Sequence, residues 1–242
     1  MHVVQKRLSH MAKINAAKIR DKFVDRISAL ETLHRKLISG LSGHETAETA
    51  EAMFLAAATA WEAFLNDLFV AYINHDSSKM NQTLRNAIEG ELEGRLKRAF
   101  VSYGGLTLPK QIDRKTILQL NSQNKSISFS NFNQIRELAR SRLVKSKADL
   151  ITQIQAPDKA RIDAWIKIRN YLAHRSGSSL AELNALLKEE RMHHTGMRLR
   201  NNSIRSVGSY LQARQTWPLR RAETRLEIAF NGMRVIAGRF CP

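Results

Sequence analysis

Apolar residues recur three or four positions apart along most of the chain. That is the spacing of amphipathic helices, not the alternation of half-buried strands. Over residues 10–40, Met11, Ile14, Ile19, Phe23, Ile27, Leu30, Leu37 and the following Leu41 predict one long helix with a basic outer face, punctuated by Gly40 and Gly43. Ser42 and Glu45 have capping-box spacing, so a second helix starts near residue 45. It runs to about Ile73 and packs Phe54, Ala57, Trp61, Phe64, Leu65, Leu68 and Tyr72, while Ala56 to Ala58 and Ala60 let a neighbouring helix come close. A third helical stretch is expected from about Lys79 to Val101, then a turn or loop from Gly104 to Pro109.

Residues 121–131 are polar and Ser/Asn-rich and read as an exposed connector, ordered by docking Ile127 and Phe129. A helix follows from about Asn131 to Leu143, with Gln134 as partner to an Asn131 cap. The next helix, about 157–175, opens on Pro157, carries Ile162, Trp165, Ile166, Ile168 and Leu172, and breaks at Arg175-Ser176-Gly177. Ser179 and Glu182 begin a short helix to about Glu190. Residues 191–217 look irregular and basic, and Thr216 and Pro218 open a last helix with Leu219, Leu226, Phe230, Met233 and Ile236 on one side. No repeat and no sustained heptad is present. The expected architecture is all-α, a helical bundle in a single domain of residues 1–242. Its core spans roughly 45–190, with a basic N-terminal helix (1–44) and a basic C-terminal extension (191–242).

Charge sharpens this picture. The formal net charge is +17 and it is unevenly spread. Residues 191–242 carry ten arginines against Glu223 and Glu227, whereas 45–80 carry six acids against Lys79 alone. Basic ends around a more neutral middle suit a polyanionic partner, nucleic acid above all. The lone Cys241 excludes a disulfide framework within one chain and suits a reducing cytoplasm. No signal peptide is expected, because Lys6, Arg7, Lys13 and Lys18 interrupt any early apolar run. The most apolar window, Met53 to Ile73, holds Glu62, Asn66 and Asp67 and so reads as a buried helix, not a membrane span.

The most informative segment is Arg169-Asn170-Tyr171-Leu172-Ala173-His174, which crowds a cation, an amide and an imidazole into the last turns of an apolar helix. Together with Trp61-Glu62-Ala63-Phe64-Leu65-Asn66-Asp67-Leu68-Phe69, it resembles the HEPN superfamily, small helical bundles that include many RNA-cleaving toxins and defence nucleases. Arg169 and His174 match that superfamily's Arg-x4-His signature, and the RiboL-PSP-like or MAE-type families look nearest. The resemblance covers roughly residues 45–190, with the first helix left open. Ser176 stands where some HEPN proteins carry an adenylylated tyrosine, so regulation by that modification is not implied.

The resemblance implies a dimeric, metal-independent endoribonuclease, a toxin or anti-phage defence effector with no cofactor. RNA brings its own nucleophile, the 2′-hydroxyl, so cleavage needs a base, an acid and positive charge on the phosphorane. His174 suits the proton transfers, Arg169 the charge, and Asn170 the orientation of either; Glu62 reads as a supporting partner of Arg169. One histidine cannot comfortably serve as both acid and base in a turnover, so a twofold homodimer with a composite site is expected. RNA-holding candidates are Arg175, Arg198, Arg200, Arg205, Arg214, Arg220 and Arg221, with Arg225, Tyr210 and Trp217 beside them, although Trp217 reads better as a packing anchor. Alternatives stay open: Arg169 and His174 capping carbonyls in a non-catalytic nucleic-acid-binding or adaptor module, or a nuclease subunit active only with a partner protein; an antitoxin or defence-system protein is a candidate partner.

Other constellations carry less. The adjacent His193 and His194 diverge on any regular element and have no ligand neighbours, and Glu89, Glu91 and Glu93 suit a solvated edge. Pro157-Asp158-Lys159 lacks the strands a metal nuclease motif requires. No phosphate-binding Gly-rich loop with its lysine is present, so an ATPase has no support.

Overall fold

The computed structural model describes residues 15–91, 94, 112–121, 127–218 and 220–242. Among these there are ten α-helices and no strand: α1 (Ala16–Ile38), α2 (Gly43–His75), α3 (Ser78–Glu91), α4 (Arg114–Asn121), α5 (Phe132–Arg142), α6 (Lys145–Thr152), α7 (Ala156–His174), α8 (Gly177–Lys188), α9 (Val207–Gln212) and α10 (Arg225–Phe240). The expected 92–101 continuation of the third helix, the 104–109 turn, Met11, Ile14, Glu93 and Leu219 lie outside the described residues.

The 33-residue α2 is the axis of the bundle. Its start is fixed by the capping box: Ser42 Oγ accepts from the Glu45 N–H at 3.4 Å, and Glu45 accepts from the Ser42 N–H at 2.9 Å. By length and composition α2 is the one described helix able to cross a membrane. Here Phe54, Trp61, Phe64, Leu65, Leu68, Phe69, Tyr72 and Ile73 are buried against other helices. Trp61 sits at the centre, 5.6 Å from the Trp165 ring of α7, 5.7 Å from Phe23 of α1 and 5.8 Å from Phe240 of α10. Four aromatic rings from four helices thus tie both chain ends to the middle.

Several elements differ from expectation. On α1 the buried stripe is Phe23, Ile27, Leu30 and then His34; Leu37 is 41 % exposed. His34 displaces it because Gln212 of α9 offers Nε2 at 2.7 Å, which satisfies the imidazole inside the core. Helices α4 and α6 are additions to the expected set. Helix α8 starts at Gly177, since Ser176, not Ser179, caps it by accepting from the Ser179 N–H at 3.2 Å.

The last helix begins at Arg225 and not near Thr216. Its start is a second capping box, Thr224 with Glu227. The 191–217 stretch is irregular only in part. Met192, Thr195, Met197, Val207 and Leu211 are fully buried, and α9 lies against α2 so closely that a Cβ on Gly208 would stand 2.2 Å from the Ala47 carbonyl oxygen. The C-terminal extension therefore completes the core.

Candidate active site

Helix α7 positions the candidate site. Pro157 occupies its first turn, where a missing N–H leaves nothing unpaired. Burial of Ile162, Trp165, Ile168 and Leu172 fixes the rotation of the helix, leaving Arg169 and Asn170 half-buried and His174 exposed at the end. Arg169 Nη2 donates to Glu62 Oε2 on α2 at 3.1 Å, and its Nη1 donates to Asn170 Oδ1 at 3.4 Å. The Arg169 Nε is buried without a partner among the described residues. Arg169 and His174 stand five residues apart, about 140° around the helix, yet both line one cleft of about 420 Å³ together with Asn170 and Glu62.

The rest of the cleft was not legible from the sequence. Ser128, Phe129 and Ser130 form one wall, and Ser176, Ser178, Ser179 and Glu182 form another. The first wall is a non-helical segment clamped by Asn66, a buried residue of α2. Its Oδ1 accepts from the Ile127 N–H at 2.8 Å and its Nδ2 donates to the Ile127 carbonyl at 3.0 Å, so the amide imitates a strand neighbour. Ile127 and Phe129 are buried, with the Phe129 ring 6.2 Å from Phe69, which is the docking expected of this connector. The only sequence signal for the clamp was a polar residue inside an apolar helix. At the end of the wall Asn131 caps α5, accepting from the Gln134 N–H at 3.1 Å.

The second wall is the N-terminus of α8, where the helix dipole favours an anion and Ser176 Oγ takes the Ser179 N–H. Glu182 lies on that wall, and its carboxylate is engaged by Lys167 at 2.5 Å, which holds it below its ordinary protonation range. The cleft thus combines a guanidinium, an amide, an imidazole and several hydroxyls around a volume able to admit a phosphodiester. Among the described residues, no three His, Cys, Asp or Glu side chains gather as metal ligands would. A larger cleft of about 760 Å³, between α1 and α2, is rimmed by Lys18, Lys22 and Arg26 and does not include Arg169 or His174.

Of the other candidates, Arg214, Arg220 and Arg221 line one separate cleft, and the rest are spread over the molecule. Arg175 does not project freely: its guanidinium lies 2.6 Å from the buried Glu51 carboxylate, which raises its affinity for its proton, and Glu51 Oε1 also accepts from the Gly208 N–H at 2.8 Å. Arg175 is therefore a strut between α7, α2 and α9. Arg225 is buried and donates to the carbonyls of Tyr210, Ala213 and Arg214. Arg198 contacts His193 Nδ1 at 2.8 Å and stands 4.6 Å over the Trp217 ring, and that ring is 37 % exposed, so it is not the expected packing anchor of the last helix. Arg200, Arg205, Arg214 and Arg220 are exposed and Arg221 is half-buried.

Comparison with curated protein sequences gave no match, and comparison with solved structures gave none. The RiboL-PSP-HEPN family model matches residues 21–190, well over half of the chain. The match reaches back into α1 and ends just past α8, so it takes in Glu62, the Asn66 clamp and the whole of α7. With the all-α bundle built around α2 and α7, this chain belongs to the RiboL-PSP-HEPN family of the HEPN superfamily.

Proposed function

We propose that the protein is a metal-independent endoribonuclease whose reaction takes place in the cleft at the end of α7. Family membership points to a nuclease or RNA-related role. The observation that carries the finer reading is the convergence of Arg169, Asn170 and His174 on one cleft beside the N-terminus of α8. A His174 imidazole takes the proton from a ribose 2′-hydroxyl, and the 2′-oxygen attacks the adjacent phosphorus. Arg169 and the α8 N–H groups hold the charge that builds on the phosphorane oxygens, while Asn170 orients the phosphate or the imidazole. The 5′-oxygen leaves with a proton from a second imidazolium, supplied by another copy of the chain in a twofold dimer. The products are a 2′,3′-cyclic phosphate and a 5′-hydroxyl. Such an activity suits a toxin or defence effector, with RNA as substrate and an antitoxin or defence-system protein as its restraint.

One observation favours a second reading. The Arg169 guanidinium is already paired with Glu62, as a purely structural cation would be, and then the scaffold binds nucleic acid or a partner protein without cutting. The end groups of incubated RNA decide between the two. Cyclic phosphate at the cut ends supports the nuclease, and intact RNA bound in a salt-sensitive complex supports the binding module.

A further inference from the structure

The segment beyond the family match builds a separate cleft. Arg214 and Thr224 form an antiparallel bridge, and the Arg225 guanidinium donates to the Ala213 carbonyl at 3.0 Å and the Arg214 carbonyl at 3.4 Å. The loop between them leaves and rejoins the body through one pinned neck. Within it the Arg221 N–H donates to the Gln215 carbonyl at 2.9 Å. Arg214, Arg220 and Arg221 surround a cleft of about 400 Å³ completed by Gln215, Thr216 and Ala222.

Two features of this cleft are unmatched by its neighbours among the described residues. The first is uncompensated charge. Among the described residues no carboxylate pairs with Arg214, Arg220 or Arg221, and Glu223, the nearest acid in the sequence, does not line the cleft. Arg221 lies near Arg161 on α7, whose guanidinium is held below its ordinary value first by burial and then by that neighbouring charge. The local acid, Asp158, is already shared between Arg161 and Arg239. Like charges gathered without a counter-ion oppose the compact state.

The second feature is unsatisfied polarity. Gln215 is 1 % exposed, and among the described residues neither its amide nitrogen nor its amide oxygen has a partner; the Arg221 Nε is also buried and unpaired among them. Native folds leave few such groups, and each asks for a reason.

We propose that this cleft is a phosphate-binding site for single-stranded RNA, separate from the cleft of Arg169 and His174. The choice of RNA rests on the function proposed above; the phosphate rests on the arginines. Guanidinium forks match phosphate oxygens, and Trp217 in the same loop, 37 % exposed with Arg198 4.6 Å over its ring, is the aromatic nearest in sequence on which a base can stack. Arg161, beside Arg221, precedes His174 by thirteen residues of α7, about 20 Å along the axis. One phosphate group therefore cannot serve both sites, and a bound strand is gripped at a distance from the cut.

The test uses the full chain carrying His174→Ala, so that the probe survives, and reads the anisotropy of a 5′-fluorescein oligouridylate against salt. Two lost phosphate contacts in R220Q/R221Q should flatten the slope of log affinity against log salt by about 1.4, at ~0.7 per contact for a single strand. R220K/R221K, which keeps the charge, should restore most of it. An unchanged slope and affinity in R220Q/R221Q overturns the proposal. Loss of inorganic phosphate binding in that variant with unchanged RNA binding also overturns it, because the site then serves a free anion. The readout is binding alone, so a chain that never cuts RNA leaves this result standing and fails only the nuclease reading.

Discussion

At Arg175 one residue meets two opposed demands. Its backbone is in the left-handed region (φ 51°), which disfavours any side chain, yet its guanidinium is the counter-ion of Glu51, whose side chain is only 7 % exposed. Arg175→Ala keeps the strained backbone and leaves Glu51 with the Gly208 N–H alone; it should cost about 2 kcal/mol in chemical denaturation, discounted for an arginine that is half exposed. Arg175→Gly loses the same pair but should regain about 1 kcal/mol from the backbone; equal stabilities for the two variants would count against this explanation. His34 offers a pH readout. Burial lowers its pKa, Arg35 lowers it further, and Glu227 and Glu31 pull it back. As an acceptor for Gln212 it is neutral in the fold. Its contribution is therefore complete above 6.5, the ordinary value, and is lost as pH falls through that value toward the lower folded one. The melting temperature should drop more between about pH 7 and about pH 5.5 in the wild type than in His34→Gln; parallel drops would remove His34 as the cause.

The element that most directly shapes the cleft is the non-helical 127–130 wall, which depends on Asn66. Asn66→Ala strips the Ile127 N–H and carbonyl of their partners inside the protein and should destabilise by at least about 2 kcal/mol. Hydrogen exchange should show the Ile127 amide losing protection while α7 keeps its own, and RNA cleavage should fall although Arg169 and His174 are untouched. Protection retained at Ile127 would mean that the wall is held by Ile127 and Phe129 packing alone. The long periodic helices α1, α2 and α7 were legible in the sequence because their apolar spacing is repeated over several turns. The eight-residue α4 and α6 were not, since two turns give too few repeats to register a period. The true start of α10 was legible in Thr224 and Glu227, but Thr216 and Pro218 offered a competing start signal upstream. The Asn66 clamp pairs residues 61 positions apart, and no local pattern encodes such a contact.

Across the whole molecule, the family region at residues 21–190 and the C-terminal segment form one core, joined by the aromatic cluster around Trp61, by Glu51 at Gly208 and by His34 at Gln212. The segment 191–217 reads as irregular and basic because its buried residues, Met192, Met197, Val207 and Leu211, follow no period; they fill gaps between helices that are distant in sequence. Arg169, Asn170 and His174 stood out because three polar groups close together at the end of an apolar helix are unusual. The serine-lined walls did not, because they come from separate parts of the chain. The most direct test of the central claim compares cleavage of end-labelled single-stranded RNA in EDTA by the wild type, Arg169→Ala and His174→Ala. The account expects wild-type cuts ending in 2′,3′-cyclic phosphate, with rates lowered by roughly 10²–10⁴-fold in His174→Ala and by about 10²–10³-fold in Arg169→Ala. Wild-type cleavage that survives undiminished in both folded variants, or RNA left intact by all three proteins, would contradict it.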